Sequence, residues 1–204
     1  MGESIIEHYR DPHLLVVEKP SGLASQPTAN NSANLYDLLN KKDSYVGLHH
    51  RLDTPASGLM LFTLNRKANP GIAKAFREQK IERCYLSVLV GELDTTGGAW
   101  SDPIDGKKAT THWKRLVSRE GMTVIEARLE SGRTHQIRKH AVAAGHPIVG
   151  DQRYGGSAGR LWKRLALHAH KLAFVHPILH QRIQIEIPMP ADLAALMARM
   201  ETQP

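Results

Sequence analysis

Length, composition and charge narrow the class of protein: the 204 residues suffice for one domain, residues 1–204, that buries its own core without disulfides or a structural metal. The single cysteine, Cys84, excludes an intramolecular disulfide, no stretch approaches the roughly 20 apolar residues of a membrane span, and the N-terminal residues do not resemble a secretory signal, so we expect a cytoplasmic protein. The formal net charge of +7 favours an anionic partner such as nucleic acid or a membrane surface.

The predicted elements favour an α+β fold. Short apolar runs that close on turn residues indicate strands, and apolar residues at helical spacing indicate helices. Because strands outnumber helices and rarely alternate with them, we expect a mixed, largely antiparallel β-sheet flanked by helices and loops. In chain order the predictions are a strand in "HLLVVEKPSG", a polar loop over 26–34, a short helix around Leu35 to Leu39, a strand in "GLMLFTLN", a helix from about Arg66 to Gln79, strands in "CYLSVLVG" and "TVIEARLE", a helix from Thr134 to Ala144 ended by Gly145, and strands in "LHAHKLAFV" and "QRIQIEIP".

Two charged clusters stand out against these elements. Asp53 lies in "HHRLDTPASG", a loop directly before an apolar strand, where most aspartates form turns or helix caps. Arg133 lies at the N-terminal edge of a predicted helix, where the backbone favours anions, so this arginine needs another explanation. A carboxylate such as Asp53 would satisfy the guanidinium and would be kept ionised by it.

Four ordered blocks resemble a known family. At these separations they are similar to the successive signatures of the RluA family of pseudouridine synthases, and the likeness spans roughly residues 13–190, including the opening "LLVVEKPSGL". The resemblance implies the pseudouridine synthase fold with its active-site cleft on the sheet, and an isomerase that acts on RNA without a cofactor. The four blocks are "HRLDTPASGLMLF", "ERCYLSVLVGEL", "SGRTHQIRKHAVAAGHPIVGDQRYG" and "LALHAHKLAFVHP".

The resemblance also implies roles for individual residues. The family's catalytic aspartate falls on Asp53, its active-site tyrosine on Tyr85 and its carboxylate-pairing arginine on Arg133. Arg51 is expected to contact the RNA near the extruded nucleotide, and Leu167 to line the uracil pocket. We expect further RNA contacts from four other side chains: His50, Arg83, Lys108 and Arg138.

The sequence departs from the family in two places near these residues. Ala56 stands where the family usually has threonine, and Arg83 stands where it usually has lysine, which keeps the charge but changes the donor geometry. Neither change affects the three catalytic positions, so we expect activity. The chain begins close to the first block, so we also expect a stand-alone catalytic domain, without the N-terminal RNA-binding domain of many relatives, that holds RNA on its own surface.

The chemistry of uridine isomerisation accounts for these residue types. The bond between ribose and N1 breaks, the uracil rotates, and the ribose joins C5. An ionised carboxylate can attack the sugar or remove a ribose proton, and the sequence leaves both routes open. Tyr85 would stack on the uracil and assist removal of the C5 proton. A hydrolase usually needs a second carboxylate, for which only Asp102 and Asp151 remain open.

Basic runs indicate how the RNA is held. We expect them to follow the phosphates of a structured ribosomal or transfer RNA stem-loop, bound by a monomer that needs no protein partner and no membrane. Each run alone would more often be a solvated surface. The runs are Lys67, Lys74, Arg77, Lys80 and Arg83; Lys107, Lys108, Lys114 and Arg115; and Arg160, Lys163 and Arg164.

Two other classes of function stay open. One is a non-catalytic RNA-binding or RNA-folding protein of the same fold, which the intact catalytic positions disfavour. The other is a metal-dependent nucleic-acid hydrolase, suggested by the pairs His49–His50 and His168–His170 among the twelve histidines. No cysteine cluster or metalloprotease-type histidine motif accompanies these pairs, so we expect no metal.

Overall fold

The computed structural model describes residues 5–29 and 33–201, so residues 30–32 of the predicted polar loop lie outside the described residues. Strands predominate over helices, which confirms the predicted α+β class. Two short 3₁₀ turns accompany the regular elements, at Arg66–Ala68 and Gly156–Arg160. In chain order the elements are β1 (Ile6–Arg10), β2 (Leu14–Lys19), α1 (Leu35–Asn40), β3 (Gly47–Leu48), β4 (Ser57–Thr63), α2 (Asn69–Arg77), β5 (Glu82–Val90), β6 (Gly97–Trp100), β7 (Thr111–Arg119), β8 (Met122–Leu129), α3 (Gln136–Ala143), β9 (Leu167–Val175), β10 (Arg182–Glu186) and α4 (Ala191–Glu201).

The chain divides into two compact units. Unit 1 is the chain up to Glu82 together with Lys171–Ile187, and unit 2 is Arg83–His170 together with the chain from Pro188 onwards. Three boundaries along the chain separate the units: one at the start of β5, one in the middle of β9 and one just after the end of β10. The amino-acid composition does not reveal the first two boundaries, because neither has the polar or glycine-rich residues of a linker.

Unit 1 is built around β2. This strand pairs antiparallel with β1 on one side and with β4 on the other, in a register that places Lys19 opposite Gly58. Strand β4 also pairs with the short β3, and β9 pairs antiparallel with β10. The first four residues of β2 and the whole of β4 are buried, which explains why both read as continuous apolar runs.

The core of unit 1 joins this sheet to helix α2. Apolar side chains from β2, β4 and β9 pack against Ala68 and Ile72, while Phe76 packs at the margin of the same cluster. Helix α2 presents an apolar face at helical spacing and has Pro70 in its first turn, where proline is tolerated. The structure thus confirms the predicted helix, although its first residues, Arg66–Ala68, form a 3₁₀ turn.

Unit 2 contains an antiparallel arrangement of β5, β8, β7 and β6. Strand β5 pairs with β8, which places Tyr85 opposite Ala127, and β8 pairs with β7. Glu120 and Gly121 form the two-residue turn between β7 and β8, and both have positive φ, as this type of hairpin turn requires. The strand pairing therefore sets the position of Tyr85 on β5.

Helix α3 follows a loop that carries Arg133. The helix ends as predicted: Gly145 has a φ of +81°, its N–H donates to Val142 O, and the His146 N–H donates to Ala141 O. These two bonds form the hydrogen-bonded stop in which glycine relieves the strain of a left-handed conformation. The predicted helix over 134–144 begins later, at Gln136, because His135 is itself left-handed.

Five regular elements were not predicted from the sequence: β1, the two-residue β3, β6, β7 and α4. Strands β1, β6 and β7 expose much of their surface and lack the apolar runs by which strands are recognised. Antiparallel pairing rather than burial stabilises such strands. The other predicted strands are confirmed within a few residues at each end.

Candidate active site

The loop that carries Asp53 is anchored in unit 1 just before β4. Leu52 is buried, Asp53 is half-buried and Arg51 is exposed. The Asp53 carbonyl accepts a hydrogen bond from the Ala56 N–H at 3.0 Å, which closes a turn. The aspartate therefore sits where its carboxylate can reach a ligand while its neighbour fills the core.

Lys19 holds this loop from inside the protein. Its side chain is fully buried, and Nζ lies within hydrogen-bond distance of Ala56 O, at 2.6 Å, and Thr54 O, at 3.1 Å. It also donates to Pro20 O and Leu23 O, at 2.9 and 2.7 Å. A buried ammonium is stable only when it is bonded in this way, so Lys19 ties the turn after Asp53 to the segment after β2.

Two serines complete the support of the loop. Ser25 is buried; its Oγ donates to Leu52 O at 2.7 Å and accepts from the Leu52 N–H at 3.0 Å. Ser21 Oγ donates to Pro55 O at 2.7 Å. The backbone is thus fixed on both sides of Asp53, and a group held in this way needs little reorganisation to act on a substrate.

The histidines before Asp53 make contacts within unit 1. His50 Nε2 accepts a hydrogen bond from the Leu61 N–H at 2.9 Å, and its ring packs on Phe76 with 4.9 Å between ring centroids. His49 Nε2 lies 3.1 Å from Thr63 Oγ1, and burial lowers the pKa of His49 below its ordinary value. His50 therefore helps to join the loop to β4 and α2, and its contact with RNA stays a prediction.

Tyr85 and Leu167 lie on strands of unit 2. Tyr85 is 6 % exposed, more deeply buried than the half-buried position expected for an ordinary sheet tyrosine. Leu167 is the first residue of β9 and is 5 % exposed. A rigid strand is a precise support for a side chain that must contact a base, and the roles predicted for both residues stay predictions.

Arg133 lies in an exposed loop that Gln136 organises. The Gln136 side chain is buried; its Oε1 accepts from Ser131 Oγ at 2.7 Å and from the Arg133 N–H at 3.0 Å. Its Nε2 donates to Thr110 O and Thr111 Oγ1, at 2.9 and 3.0 Å. One buried amide thus sets the path of the loop, while Arg133 itself is exposed.

Three of the predicted cations meet around this loop. Arg133 Nε donates to Lys108 O at 3.2 Å, and Arg83 Nη2 approaches Ser131 O at 3.4 Å. Gly132 leaves room for the Arg83 side chain, because a Cβ at position 132 would lie 2.8 Å from Arg83 Nη1. The fold therefore brings the guanidinium groups of Arg133 and Arg83 to the same loop and joins it to the main chain at Lys108, and positive charge of this kind suits an anionic ligand.

The RNA contact predicted for Arg138 is corrected by the structure. Its guanidinium forms a bidentate pair with Asp151, at 2.7 and 2.8 Å, and the residue is only 4 % exposed. Burial alone would raise the pKa of Asp151, but the bonds from Arg138 and from the Arg153 and Tyr154 N–H groups hold it below its ordinary value. Arg138 stabilises unit 2 and offers almost no surface to RNA.

The structure also bears on the residues considered for metal binding. Within residues 5–29 and 33–201, no three His, Cys, Asp or Glu side chains are grouped closely enough to hold a metal ion. In unit 2, His170 Nε2 lies 2.8 Å from Glu126 Oε1, and Asp151 is paired with Arg138.

None of the helices in the described part of the chain has the length and apolar character needed to cross a bilayer.

Three supporting residues were not singled out by sequence reasoning: Lys19, Ser25 and Gln136. A signal for Lys19 was present, because a lysine that ends an apolar run and enters a Pro-Ser-Gly turn must be bonded if it is buried. Gln136 stands three residues after Arg133 and accepts from its N–H, a short-range contact that a glutamine just after a Gly-Arg turn can make. Ser25 carries no comparable pattern, because its partner, Leu52, lies 27 residues away.

Comparison with known proteins identifies the family to which this chain belongs. Residues 13–143 match the family model described as RNA pseudouridylate synthase. The chain is 35 % identical over 211 residues to the uncharacterized RNA pseudouridine synthase YhcT of Bacillus subtilis, covering 92 % of this chain and 70 % of the relative. It is also 35 % identical over 226 residues to ribosomal large subunit pseudouridine synthase D of Xanthomonas campestris, covering 94 % of this chain and 68 % of that one.

The fold agrees as well. The structure is similar to that of human RNA pseudouridylate synthase domain containing 4, with a TM-score of 0.79 and 20 % identity, covering 96 % of this chain and 93 % of the human chain. At that identity the likeness shows the fold alone, whereas the family match and the bacterial relatives carry the activity. This chain therefore belongs to the RNA pseudouridylate synthase family and is an isomerase that acts on RNA.

Proposed function

We propose that Asp53 is the catalytic carboxylate of this RNA pseudouridine synthase. The observation that carries the proposal is the support of its loop: Lys19 and Ser25 fix the backbone on both sides of Asp53, while its own side chain stays partly exposed. The buried Lys19 ammonium spends two of its hydrogen bonds on the turn that follows Asp53, and such fixed support suits a carboxylate that must be aimed at a substrate. The ionised carboxylate either attacks the ribose or removes a ribose proton, and it completes the cycle unchanged.

Tyr85 and Arg133 are proposed as its partners in the reaction, on the strength of the sequence blocks that they share with the family. The Tyr85 ring stacks on the uracil, and its hydroxyl assists loss of the C5 proton after the ribose has joined C5. Arg133 supports the ionised state of the catalytic carboxylate. In the balance of atoms the C1′–N1 bond breaks, the C1′–C5 bond forms, N1 gains a proton and C5 releases one.

The proposed substrate is a stem-loop of ribosomal or transfer RNA, with a large-subunit ribosomal RNA as the first choice. The name of the Xanthomonas campestris relative supports that choice. Arg51, Arg83 and Lys108 are exposed or half-exposed and supply cations for phosphates, as RNA recognised by its shape requires. Extrusion of the uridine costs a few kcal/mol for unstacking, which Arg51 offsets in part by bracing the vacated position.

We further propose that the protein works as a monomer in the cytoplasm, as one catalytic domain and without a cofactor. Cys84, the one cysteine of the sequence, is buried and can form no intramolecular disulfide, which is compatible with a reducing compartment. Isomerisation changes no oxidation state and consumes no second substrate, so the protein's own side chains suffice for the reaction.

A tritium-release assay tests this function. Unmodified large-subunit ribosomal RNA and bulk transfer RNA, labelled with tritium at uridine C5, are incubated with the purified protein, and tritium in water is measured alongside RNA chain length. We expect tritium release from intact RNA, with sequencing of the product locating the modified uridine. Binding to RNA that stays intact, without release of tritium, would support the non-catalytic alternative, and chain cleavage without release of tritium would support a hydrolase.

A further inference from the structure

A cavity in unit 2 is lined by none of the candidate active-site residues described above. It has a volume of about 700 Å³ and is formed by the segment between α3 and β9. This volume falls within the usual range of ligand pockets. The lining side chains on which the argument depends are Gln152, Arg160, Leu161, Trp162 and Lys163.

The backbone beneath this cavity is tightly built. At Gly159 an added Cβ would lie 2.9 Å from Asp151 O and 3.0 Å from Gln152 Cα, so the 3₁₀ turn rests directly on that segment. Asp151 is itself held by Arg138 and by main-chain N–H groups. The Gly150 N–H donates to Ala158 O at 2.9 Å. The cavity therefore has a preformed floor, which lowers the entropic cost of binding.

The charge at the cavity is positive. Arg160 and Lys163 are both exposed, and none of the lining residues is acidic. Their neighbour Arg164 differs: it is bonded to Asp192 at 2.6 and 2.9 Å and is mostly buried. Arg160 and Lys163 are thus available to a ligand at the cavity, whereas Arg164 is paired with Asp192 inside unit 2.

The remaining lining groups suit a nucleobase. Leu161 is 54 % exposed although it is apolar, and beside it the Trp162 indole is half-buried. An indole and an alkyl side chain contribute flat apolar surface for stacking, and the Gln152 amide can both donate to and accept from the edge of a base. We propose that this cavity binds an unpaired segment of the RNA substrate, with its phosphates at Arg160 and Lys163 and a base against Trp162 and Leu161.

This inference rests on the proposed function, in which the substrate is a folded RNA with unpaired nucleotides. RNA fits the cavity better than a membrane surface does, because the Trp162 indole is half-buried and one exposed leucine alone supplies little area for insertion into lipid. Single-stranded nucleic acid combines backbone charge with stackable faces, which is the pair of features that the cavity offers. The predicted contacts are separate from those that Arg51, Arg83 and Lys108 make in the proposed function.

The test is a salt titration of RNA binding. Anisotropy of a fluorescein-labelled oligouridylate measures affinity for the parent protein, for the double variant R160A/K163A, and for the control K41A/R119A. The control removes the same two charge types from exposed positions outside the three basic runs. We expect the cavity variant to lose affinity by about tenfold and its log–log salt slope to fall by about 1.4, since each phosphate contact on a single strand contributes about 0.7.

A second measurement starts from the parent protein and does not depend on removing charge. Ultraviolet cross-linking of bound oligouridylate to the parent protein, followed by peptide mass spectrometry, should give an adduct at Trp162. In W162A this adduct should disappear, and circular dichroism and thermal unfolding check that the variant folds. An unchanged salt slope in R160A/K163A, a loss equal to that of the control, or adducts only outside residues 152–163 would overturn the inference.

The assay separates this inference from the proposed function. If the parent isomerises labelled RNA but the cavity variant binds oligouridylate like the parent, the cavity assignment fails and the enzyme assignment stands. If no RNA releases tritium but the variant loses affinity and slope, the subsite stands and the substrate assignment fails. The inference would also be overturned if the parent bound phosphatidylserine vesicles more tightly than R160A/K163A while both proteins bound oligouridylate equally. That result would assign the cavity to membranes.

Discussion

Lys19 and Ala56 are joined by a 2.6 Å hydrogen bond between a buried ammonium and a main-chain carbonyl. The same Nζ reaches Thr54 O, so one side chain binds the turn that follows Asp53 at two points. Lys19 is 37 residues from Ala56 in sequence, which means that the antiparallel pairing of β2 with β4 brings them together. Loop geometry and sheet register are therefore coupled.

We expect Lys19→Met to lower both stability and turnover. The substitution keeps the length of the side chain but leaves carbonyls such as Thr54 O and Ala56 O without their donor, at a cost of about 2 to 4 kcal/mol in the free energy of unfolding. Urea unfolding measures that cost, and the tritium-release rate at saturating RNA measures the effect on Asp53. Lys42→Met, at an exposed position, is the control and should change neither. Parental turnover in Lys19→Met would show that the loop does not depend on Lys19.

Asp53→Asn should abolish isomerisation and leave RNA affinity within several-fold of the parent. The change is nearly isosteric, and phosphate contacts rather than this carboxylate dominate affinity. Tritium release and a filter-binding assay on the same RNA test the two parts separately. The matched control is Asp94→Asn, which removes a carboxylate from an exposed loop of unit 2 and should retain full activity. Substantial turnover by a sequence-verified Asp53→Asn protein would remove Asp53 from the mechanism.

Gln136→Met should lower turnover through Arg133. The substitution removes the amide that binds the Arg133 N–H, Ser131 Oγ, Thr110 O and Thr111 Oγ1, so the loop loses its fixed path and unfolding becomes easier by about 2 to 4 kcal/mol. Gln136→Glu restores the acceptor but not the donor and should be intermediate in turnover. Gln184→Met, on an exposed position of β10, serves as the reference. Equal turnover in all four proteins would contradict a positioning role.

The free energy of unfolding should decrease as the pH is lowered from 6.5 to about 4, because His168 is buried without a proton. Burial, with the nearby Arg164 and His170 charges, lowers the pKa of His168 from 6.5 to about 4. In that window the unfolded chain takes up a proton that the folded chain does not, so the contribution is complete above pH 6.5 and is lost as the pH falls toward 4. A shift of this size corresponds to about 3 kcal/mol.

Urea unfolding across this pH window, compared between the parent and His168→Asn, measures the effect. We expect the pH slope to flatten in the variant, whatever its absolute stability. His180→Asn replaces an exposed histidine and should keep the parental slope. A slope that is the same in His168→Asn as in the parent would assign the pH dependence to other groups.

The sequence by itself determined the strands that are buried on both faces, the end of α3 and the motif blocks of the family. Continuous apolar runs produce β2 and β4 because a strand inside the core needs no polar face. Gly145 ends α3 because a left-handed residue costs glycine little. These signals are local, so they can be read without knowing what the segment contacts.

Tertiary structure alone decided how the loops are supported and which cations are available. Arg138 and Arg164 read like their basic neighbours, yet they are paired with Asp151 and Asp192, 13 and 28 residues away, while Arg160 and Lys163 remain exposed. Lys19 and Gln136 likewise acquire their roles only when distant carbonyls are brought to them. A side chain's charge and shape can be read from its own residue type. Its burial and its partners depend on strand register and on which distant segments pack together, because these determine which groups lose water on folding.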